Sequence, residues 1–180
     1  MKTTEHLVIS ALGEDRPGIV NDLTQLILDC ACNVVDSRMT VLGGEFALML
    51  LVSGAAADIE RLEQALPALA GTLSLTLISK KTRPRPPQPD RIPYRVHAVA
   101  LDHPGIVHQL AQFFSSRHIN IESLETDSYA AAHTGAPMFA LTMLVNVPGE
   151  TRIAALREEF LGFCDELNID VTMEPLHQGV

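Results

Sequence analysis

Tryptophan is absent from this chain of 180 residues, and aromatic side chains make up only 4% of it. A hydrophobic core must therefore be built from Leu, Val, Ile and Ala, and at 47% hydrophobic residues the chain has enough of them to be globular. No apolar run is long enough to span a bilayer. The three cysteines lack the spacing of a disulfide framework, and no secretory signal pattern is visible. These absences predict a globular cytoplasmic protein.

Basic residues are also scarce, with 13 Lys and Arg against 22 Asp and Glu. Residues 1–80 carry 5 basic and 10 acidic side chains, and residues 94–180 carry 4 and 11. Only the stretch between them, 81–93, is basic, with 4 basic side chains and 1 acidic. Because neutralisation of phosphates dominates DNA affinity, two acidic halves argue against direct binding to nucleic acid.

Catalytic and metal-binding motifs are missing as well. The chain has no nucleophile elbow, Walker loop, HExxH or dinucleotide-binding fingerprint, and we predict that it is not an enzyme. The cysteines at 30, 32 and 164 lack the spacing of a zinc site and are interpreted as small core residues. A cation site at Asp102, His103 and His108 is an alternative, although loop histidines need no such explanation. We therefore expect neither a metal nor a cofactor.

The most informative feature that is present is a repeated peptide. DRPGIV at 15–20 returns as DHPGIV at 102–107, and an asparagine follows each aspartate by 18 residues, at Asn33 and Asn120. The repeat continues beyond an insertion at 130–137. Two copies indicate two related domains rather than a solenoid.

The basic, proline-rich stretch KKTRPRPPQP separates the two copies. Closely spaced prolines favour an extended spacer, and a basic docking strip is the alternative interpretation. We predict a first domain at 1–80, a linker at 81–92 and a second domain at 93–180.

Each half has the pattern β-α-β-β-α-β. In the first half we predict strands at 5–12, 33–41, 46–52 and 72–79, a helix from Pro17, and a helix at 55–69 that Gly71 ends. In the second half we predict strands at 93–101, 119–129, 138–147 and 169–174, with helices at 105–117 and 150–166. This pattern predicts an α+β protein with two tandem ferredoxin-like units, each a four-stranded antiparallel sheet with two helices on one face. The other sheet face is expected to pack on the other half of the chain or on a second chain.

The repeated peptide lies where a strand turns into a helix. The first N–H groups of a helix have no partners and attract a carboxylate, and a glycine lets a ligand approach the backbone closely. Asp15 could hold an ammonium group beside that carboxylate, which together would suit a free amino acid. The alternative is that Pro-Gly simply starts the helix and packs it tightly on the sheet.

The strand, DRPGIV, helix and CNVVDS in this order resemble the ACT domain, a regulatory module that commonly binds amino acids. The resemblance implies that the effector contacts the aspartate, the glycine backbone and the asparagine, at an interface between two ACT domains placed side by side. The implied ligand-binding residues are Asp15, Arg16, Gly18, Ile19, Asn33, Asp102, Gly105, Ile106 and Asn120. We expect the first loop to be the better site, because Arg16 and Gly13 are replaced by His103 and Ala100 in the second.

LVISALGEDRPGIV, GGEFALMLLVSG and TRPRPP further resemble the family of glycine cleavage system transcriptional repressors. That resemblance implies repression through a LysR-type transcription factor, relieved by glycine, and the chain is expected to form a homo-oligomer. NIESL at 120–124 instead resembles a regulatory subunit of acetolactate synthase, the alternative function. Formyltetrahydrofolate deformylases carry a similar DRPGIV, but their hydrolase domain has no room here.

Overall fold

The computed structural model describes residues 4–86 and 90–176, and it divides into two compact units, Met1–Pro86 and Pro87–Val180. The first unit consists of β1 (Thr4–Glu14), α1 (Ile19–Asp29), β2 (Asn33–Leu42), β3 (Glu45–Ala55), α2 (Ala56–Leu73) and β4 (Thr76–Thr82). The second consists of β5 (Arg91–Leu101), α3 (Ile106–Ser115), β6 (Asn120–Ala130), β7 (Pro137–Pro148), α4 (Ile153–Glu166) and β8 (Asp170–Pro175). The predicted α+β fold with two βαββαβ units is confirmed.

Both sheets have the same topology. The strand orders are β2-β3-β1-β4 and β6-β7-β5-β8, and every neighbouring pair is antiparallel. Strands β1 and β2 therefore run parallel to each other on either side of β3. Leu7, Ile9 and Ala11 alternate along β1 and are buried, as expected when one face of a strand meets helices. Ile19 and Leu23, one helical turn apart, bring α1 onto that face.

The two helices of the second unit pack against each other through phenylalanines. Phe113 and Phe114 of α3 pack against Phe160 of α4, with both ring centroid separations at 4.9 Å. The first unit has Leu26 and Ile27 at the positions of the two α3 phenylalanines, so its helices pack through aliphatic side chains. The same fold thus tolerates two kinds of core, provided that the apolar positions are kept.

The helix ends correct several predicted boundaries. Helix α2 passes through Gly71 and ends at Leu73, because Ser74 takes the left-handed conformation with φ 55° and closes the helix. Strand β4 consequently begins at Thr76 rather than 72. Helix α1 begins at Ile19 and not at Pro17, since Gly18 is its N-cap. Helices α3 and α4 likewise begin one and three residues later than predicted, at Ile106 and Ile153.

The predicted linker lies between the two units. Strand β4 continues to Thr82 and β5 begins at Arg91, so both predicted linker ends fall within strands. Residues 87–89 of the linker lie outside the described residues. The domain bounds 1–80, 81–92 and 93–180 stay a prediction. No helix within 4–86 or 90–176 is long and apolar enough to cross a membrane.

The sheet face without helices differs between the units. In the first unit it exposes Leu12, Met49 and Ile78, at 49%, 54% and 65%. In the second unit, Arg95 and His97 of β5 lie on this face at the positions of Val8 and Ser10, and Leu101 is exposed beside them. The expectation that this face packs on the other half or on a second chain stays a prediction.

Candidate functional site

The turn between β1 and α1 is held by backbone contacts. The N–H of Asp15 donates to the carbonyl of Gly44 at 3.1 Å, and the N–H of Asp22 donates to the carbonyl of Gly18 at 2.9 Å. Gly18 has φ 100° and ψ −18°, a conformation that favours glycine, and it provides no side-chain cap for the helix. A Cβ at Gly18 would meet no atom within 4 Å. The first N–H groups of α1 have no partner within the helix, and the exposed Asp15 precedes them in the turn.

The turn between β5 and α3 repeats this geometry closely. The N–H of Asp102 donates to the carbonyl of Pro137 at 2.9 Å, and Gly105 is the N-cap, with φ 102° and ψ −11°. A depression of about 440 Å3 lies at this turn, lined by His103, Gly105, Ile106, Val107, His108 and Phe139. The predicted ligand-binding set lacked His103, Val107, His108 and Phe139, of which the two histidines entered only the alternative cation site. Phe139 lies opposite Ala100 in the sheet, and only the strand register reveals that neighbour.

The two isoleucines of the predicted ligand-binding set differ from the other turn residues in that their side chains point into the core. The side chains of Ile19 and Ile106 are buried, with exposed fractions of 1% and 2%. Only their backbone N–H groups, at the first helical position, lie at the turn. Their side chains hold each helix on its sheet and position the turn.

The differences between the two turns have structural explanations. Arg16 Nη2 donates to the carbonyl of Leu73 at 3.2 Å, where a cation is favourable at the end of α2. In the other turn, His103 Nδ1 lies 3.1 Å from the carbonyl oxygen of its neighbour Pro104. A Cβ at Gly13 would come within 2.6 Å of Leu75 Cδ2, so a larger residue there would displace the end of the Leu75 side chain. Which of the two turns is the better ligand site stays a prediction.

The asparagines lie at the far ends of the sheets from the turns. Asn33 begins β2 and pairs with Ser53, which pairs with His6 near the start of β1. Eight residues of β1 separate His6 from Glu14, which is about 27 Å at 3.4 Å per residue. Asn120 is equally far from Asp102, because it pairs with Asn146 and hence lies level with Pro93. A single unit thus does not bring its asparagine and its turn together.

The described residues offer no metal or thiol chemistry. No group of three or more His, Cys, Asp or Glu side chains within 4–86 and 90–176 could hold a metal ion. Cys30, Cys32 and Cys164 are free and buried. Burial raises the pKa of the Cys164 thiol to about 12, and burial also raises the pKa of Cys32. Thiols of this kind stay protonated and are poor nucleophiles.

Comparison with known proteins gives the chain a family. A family model of the ACT domain matches residues 5–79. The glycine cleavage system transcriptional repressor of Escherichia coli K12 is 34% identical over 170 residues, which is 93% of this chain and 88% of that protein. A crystal structure assigned provisionally to such a repressor is 31% identical, with a TM-score of 0.75, and covers 97% of this chain and 99% of its own.

A second solved structure, of an unknown protein from Galdieria sulphuraria, is 27% identical with a TM-score of 0.79 and covers 97% of this chain and 100% of its own. The likeness to both structures extends over both units, including the second, which lies beyond the residues matched by the ACT model. ACT domains are regulatory modules, and the similar protein of E. coli is a repressor. The chain belongs to the family of glycine cleavage system transcriptional repressors and is a regulatory ACT-domain protein rather than an enzyme.

Proposed function

We propose that the chain senses a free amino acid, glycine in the first place, and represses the glycine cleavage system in the cytoplasm through a LysR-type DNA-binding partner. The observation that carries the proposal is the pair of matching turns, each with an exposed aspartate before a glycine-capped helix. The family supports the repressor role and the choice of glycine.

The turn provides complementary groups for both ends of an amino acid. The N–H groups at the start of α1 suit the carboxylate, and Asp15 suits the ammonium group. The open space over Gly18 lets the ligand reach the backbone. Glycine has few heavy atoms, and at about 1.5 kcal/mol for each the dissociation constant is no tighter than a few micromolar. This range suits a sensor of metabolite levels.

The distance between the turn and the asparagine supports a homo-oligomer. Strand β2 is an edge strand, and almost all of its residues are exposed. If β2 pairs antiparallel with β2 of a second copy, the start of one strand lies beside the end of the other. Asn33 of one copy would then approach the Asp15 turn of the other, as the ACT resemblance implies.

A partner protein explains how an acidic chain can act on transcription. The halves 1–80 and 94–180 carry net charges of −5 and −7, counted from their Lys, Arg, Asp and Glu side chains. Such surfaces repel a phosphate backbone, so contact with DNA falls to the partner.

Calorimetric titration with glycine tests the sensor role. We expect Asp15→Asn and Asp102→Asn each to remove binding at their own turn, and the double variant to bind glycine at least tenfold more weakly than the unmodified chain. Asp22→Asn, a partly exposed carboxylate in the first turn of α1, is the matched control and should leave affinity unchanged. The aspartates are cleaner probes than Gly18, because any side chain at φ 100° strains the turn. Unchanged affinity in the double variant would place the site elsewhere.

The partner is tested by capture with the purified LysR-type regulator. Direct binding is expected. Recovery of acetolactate synthase from extract, without any binding to the regulator, would favour the enzyme-subunit alternative.

A further inference from the structure

A trough crosses helix α4 of the second unit at Gly162. On one side, a depression of about 530 Å3 lies between α3 and α4, with Gln109, Phe113 and Phe163 in its lining. On the other side, a depression of about 510 Å3 follows the outer surface of α4, beside Leu161. Gly162 lines both depressions, so they meet over it.

The fold itself does not require a glycine at 162. Glycine inside a helix is less favourable than alanine, because more backbone freedom is lost on folding. A Cβ at Gly162 would meet no atom within 4 Å, so packing within the unit does not exclude a side chain. At an exposed helical glycine, a large side chain of another molecule can approach the helix backbone closely.

Side chains around the trough lack partners of their own. The Oε1 atom of Gln109 is buried and accepts no hydrogen bond from any residue in 4–86 or 90–176. Leu161 is 39% exposed, and Phe163 is only partly buried against the core. A hydrogen-bond donor and a large apolar side chain from an occupant would satisfy these groups.

The charge around the trough selects a basic occupant. Glu158, Asp165 and Glu166 have no ion-pair partner among the described residues. The neighbouring arginines turn towards their own unit. Arg117 pairs with Glu159 at 3.0 Å and lies over the Phe113 ring, and Arg157 donates to the carbonyl of Met173 at 2.8 Å. In the described part of the chain, the three unpaired carboxylates outnumber the single arginine without a carboxylate partner, Arg157, so the net charge at the trough is negative.

A second copy of the chain does not fit this surface. The four helices that the structure describes carry at most one Lys or Arg each. An isologous contact through α4 would place acidic side chains against acidic side chains. A basic helix that occupies the trough would therefore come from another protein.

We propose that this trough binds a basic amphipathic helix of a partner protein. A bulky apolar side chain of that helix lies over Gly162, and its Lys or Arg residues pair with Glu158 and Asp165. Recognition of a helix by a groove uses apolar anchors one turn apart, with charges at the rim. The inference rests on the proposed function in one respect, namely that the chain acts through a protein partner.

Fluorescence anisotropy measures the binding of a labelled helical peptide to the full chain. The peptide carries leucines along one face of its helix and lysines on either side of them. Gly162→Leu, which fills the trough, should weaken binding at least tenfold. Glu158→Gln with Asp165→Asn should weaken it several-fold, and the loss should shrink as salt rises. Gly71→Leu is the matched control, since Gly71 is a helical glycine of α2 at which a Cβ would likewise meet no atom within 4 Å.

A peptide with glutamate in place of lysine should not bind. Equal binding of the lysine peptide to the unmodified chain and to Gly162→Leu, or no binding to either, would overturn the inference.

The same variants are titrated with the purified LysR-type regulator. If the regulator fails to bind the unmodified chain while the peptide results hold, the proposed partner is wrong and the helix-binding surface stands. Circular dichroism confirms that each variant is folded.

Discussion

At the scale of single residues, each of the four described helices is followed within three residues by a non-glycine residue with positive φ. These are Ala31, Ser74, His118 and Asn168, with φ between 55° and 56°. Each is followed by an N–H that donates back across the helix end, as from Cys32 to the carbonyl of Ile27 at 3.0 Å. The hydrogen bonds favour this ending even where the residue itself does not.

Ala31→Gly should therefore stabilise the first unit. Glycine adopts positive φ without the steric cost of a Cβ, and after its greater loss of backbone freedom the net gain is about 0.5–1 kcal/mol. Denaturant unfolding measures this change as a higher midpoint. Ala57→Gly, an exposed position inside α2, is the control and should destabilise by about 1 kcal/mol. A lower midpoint for Ala31→Gly would contradict this explanation of the helix ends.

Cys164 makes stability depend on pH at the alkaline end. Burial, with a smaller effect of Asp165, raises the pKa of its thiol from 9.0 to about 12. Because the folded pKa lies above the unfolded one, the stabilisation is complete below pH 9 and is lost as pH rises towards 12. The difference in unfolding free energy between the unmodified chain and Cys164→Ala should shrink over this range. A difference that stays constant with pH would contradict burial of the thiol.

At the scale of elements, helix α2 contains a proline at position 67. A proline inside a helix cannot donate to the carbonyl four residues earlier, so Pro67→Ala should restore that hydrogen bond. The expected gain is about 2 kcal/mol, since proline costs about 3 in a helix interior and returns up to about 1 by restricting the unfolded chain. Thermal unfolding measures this gain in stability as a higher midpoint temperature. Pro17→Ala, outside the helix, should give no gain, and equal gains in both variants would count against this explanation.

The sequence predicted every helix and strand of the fold, because apolar periodicity survives in both copies of the repeat. It placed the end of α2 wrongly, since Gly71 looks like a helix terminator while the turn that closes the helix falls on Ser74. It also missed the β-bulge between Val34 and Asp36, because an extra residue in a strand leaves no mark in a short alternating pattern.

The candidate site was only partly predictable, because some of its contacts join residues that are far apart in the sequence. The turns follow from the repeated peptide, and the structure gives both the same geometry. The separation of Asn33 from Asp15 follows from strand direction, since β1 and β2 run parallel and begin at the same end of the sheet. The contact of Arg16 with Leu73 joins residues far apart in the chain and could not be predicted from local pattern.

At the scale of the whole molecule, the proposed homo-oligomer predicts that the exposed edge strand β2 is an interface. Met39 and Val41 are 57% and 42% exposed, so lysine at both positions should leave the unit folded. We expect Met39→Lys with Val41→Lys to dissociate the oligomer in sedimentation experiments and to weaken glycine binding. Ile78→Lys, at the other edge of the same sheet, is the control. Dissociation by Ile78→Lys alone would instead place the interface on the open sheet face.

Under the proposed function, the two acidic units and the paired turns form a sensor that reaches DNA through a partner. The central claim is that binding of an amino acid at the turns changes the affinity for that partner. Linkage requires that glycine weakens partner binding by the same factor by which the partner weakens glycine binding.

The most direct measurement is the dissociation constant of the complex with the purified LysR-type regulator as glycine is increased through the millimolar range. We predict that glycine weakens the complex at least tenfold for the unmodified chain and has no effect on the Asp15→Asn, Asp102→Asn double variant. A complex whose affinity is independent of glycine, or one that glycine weakens equally in the double variant, would contradict the claim.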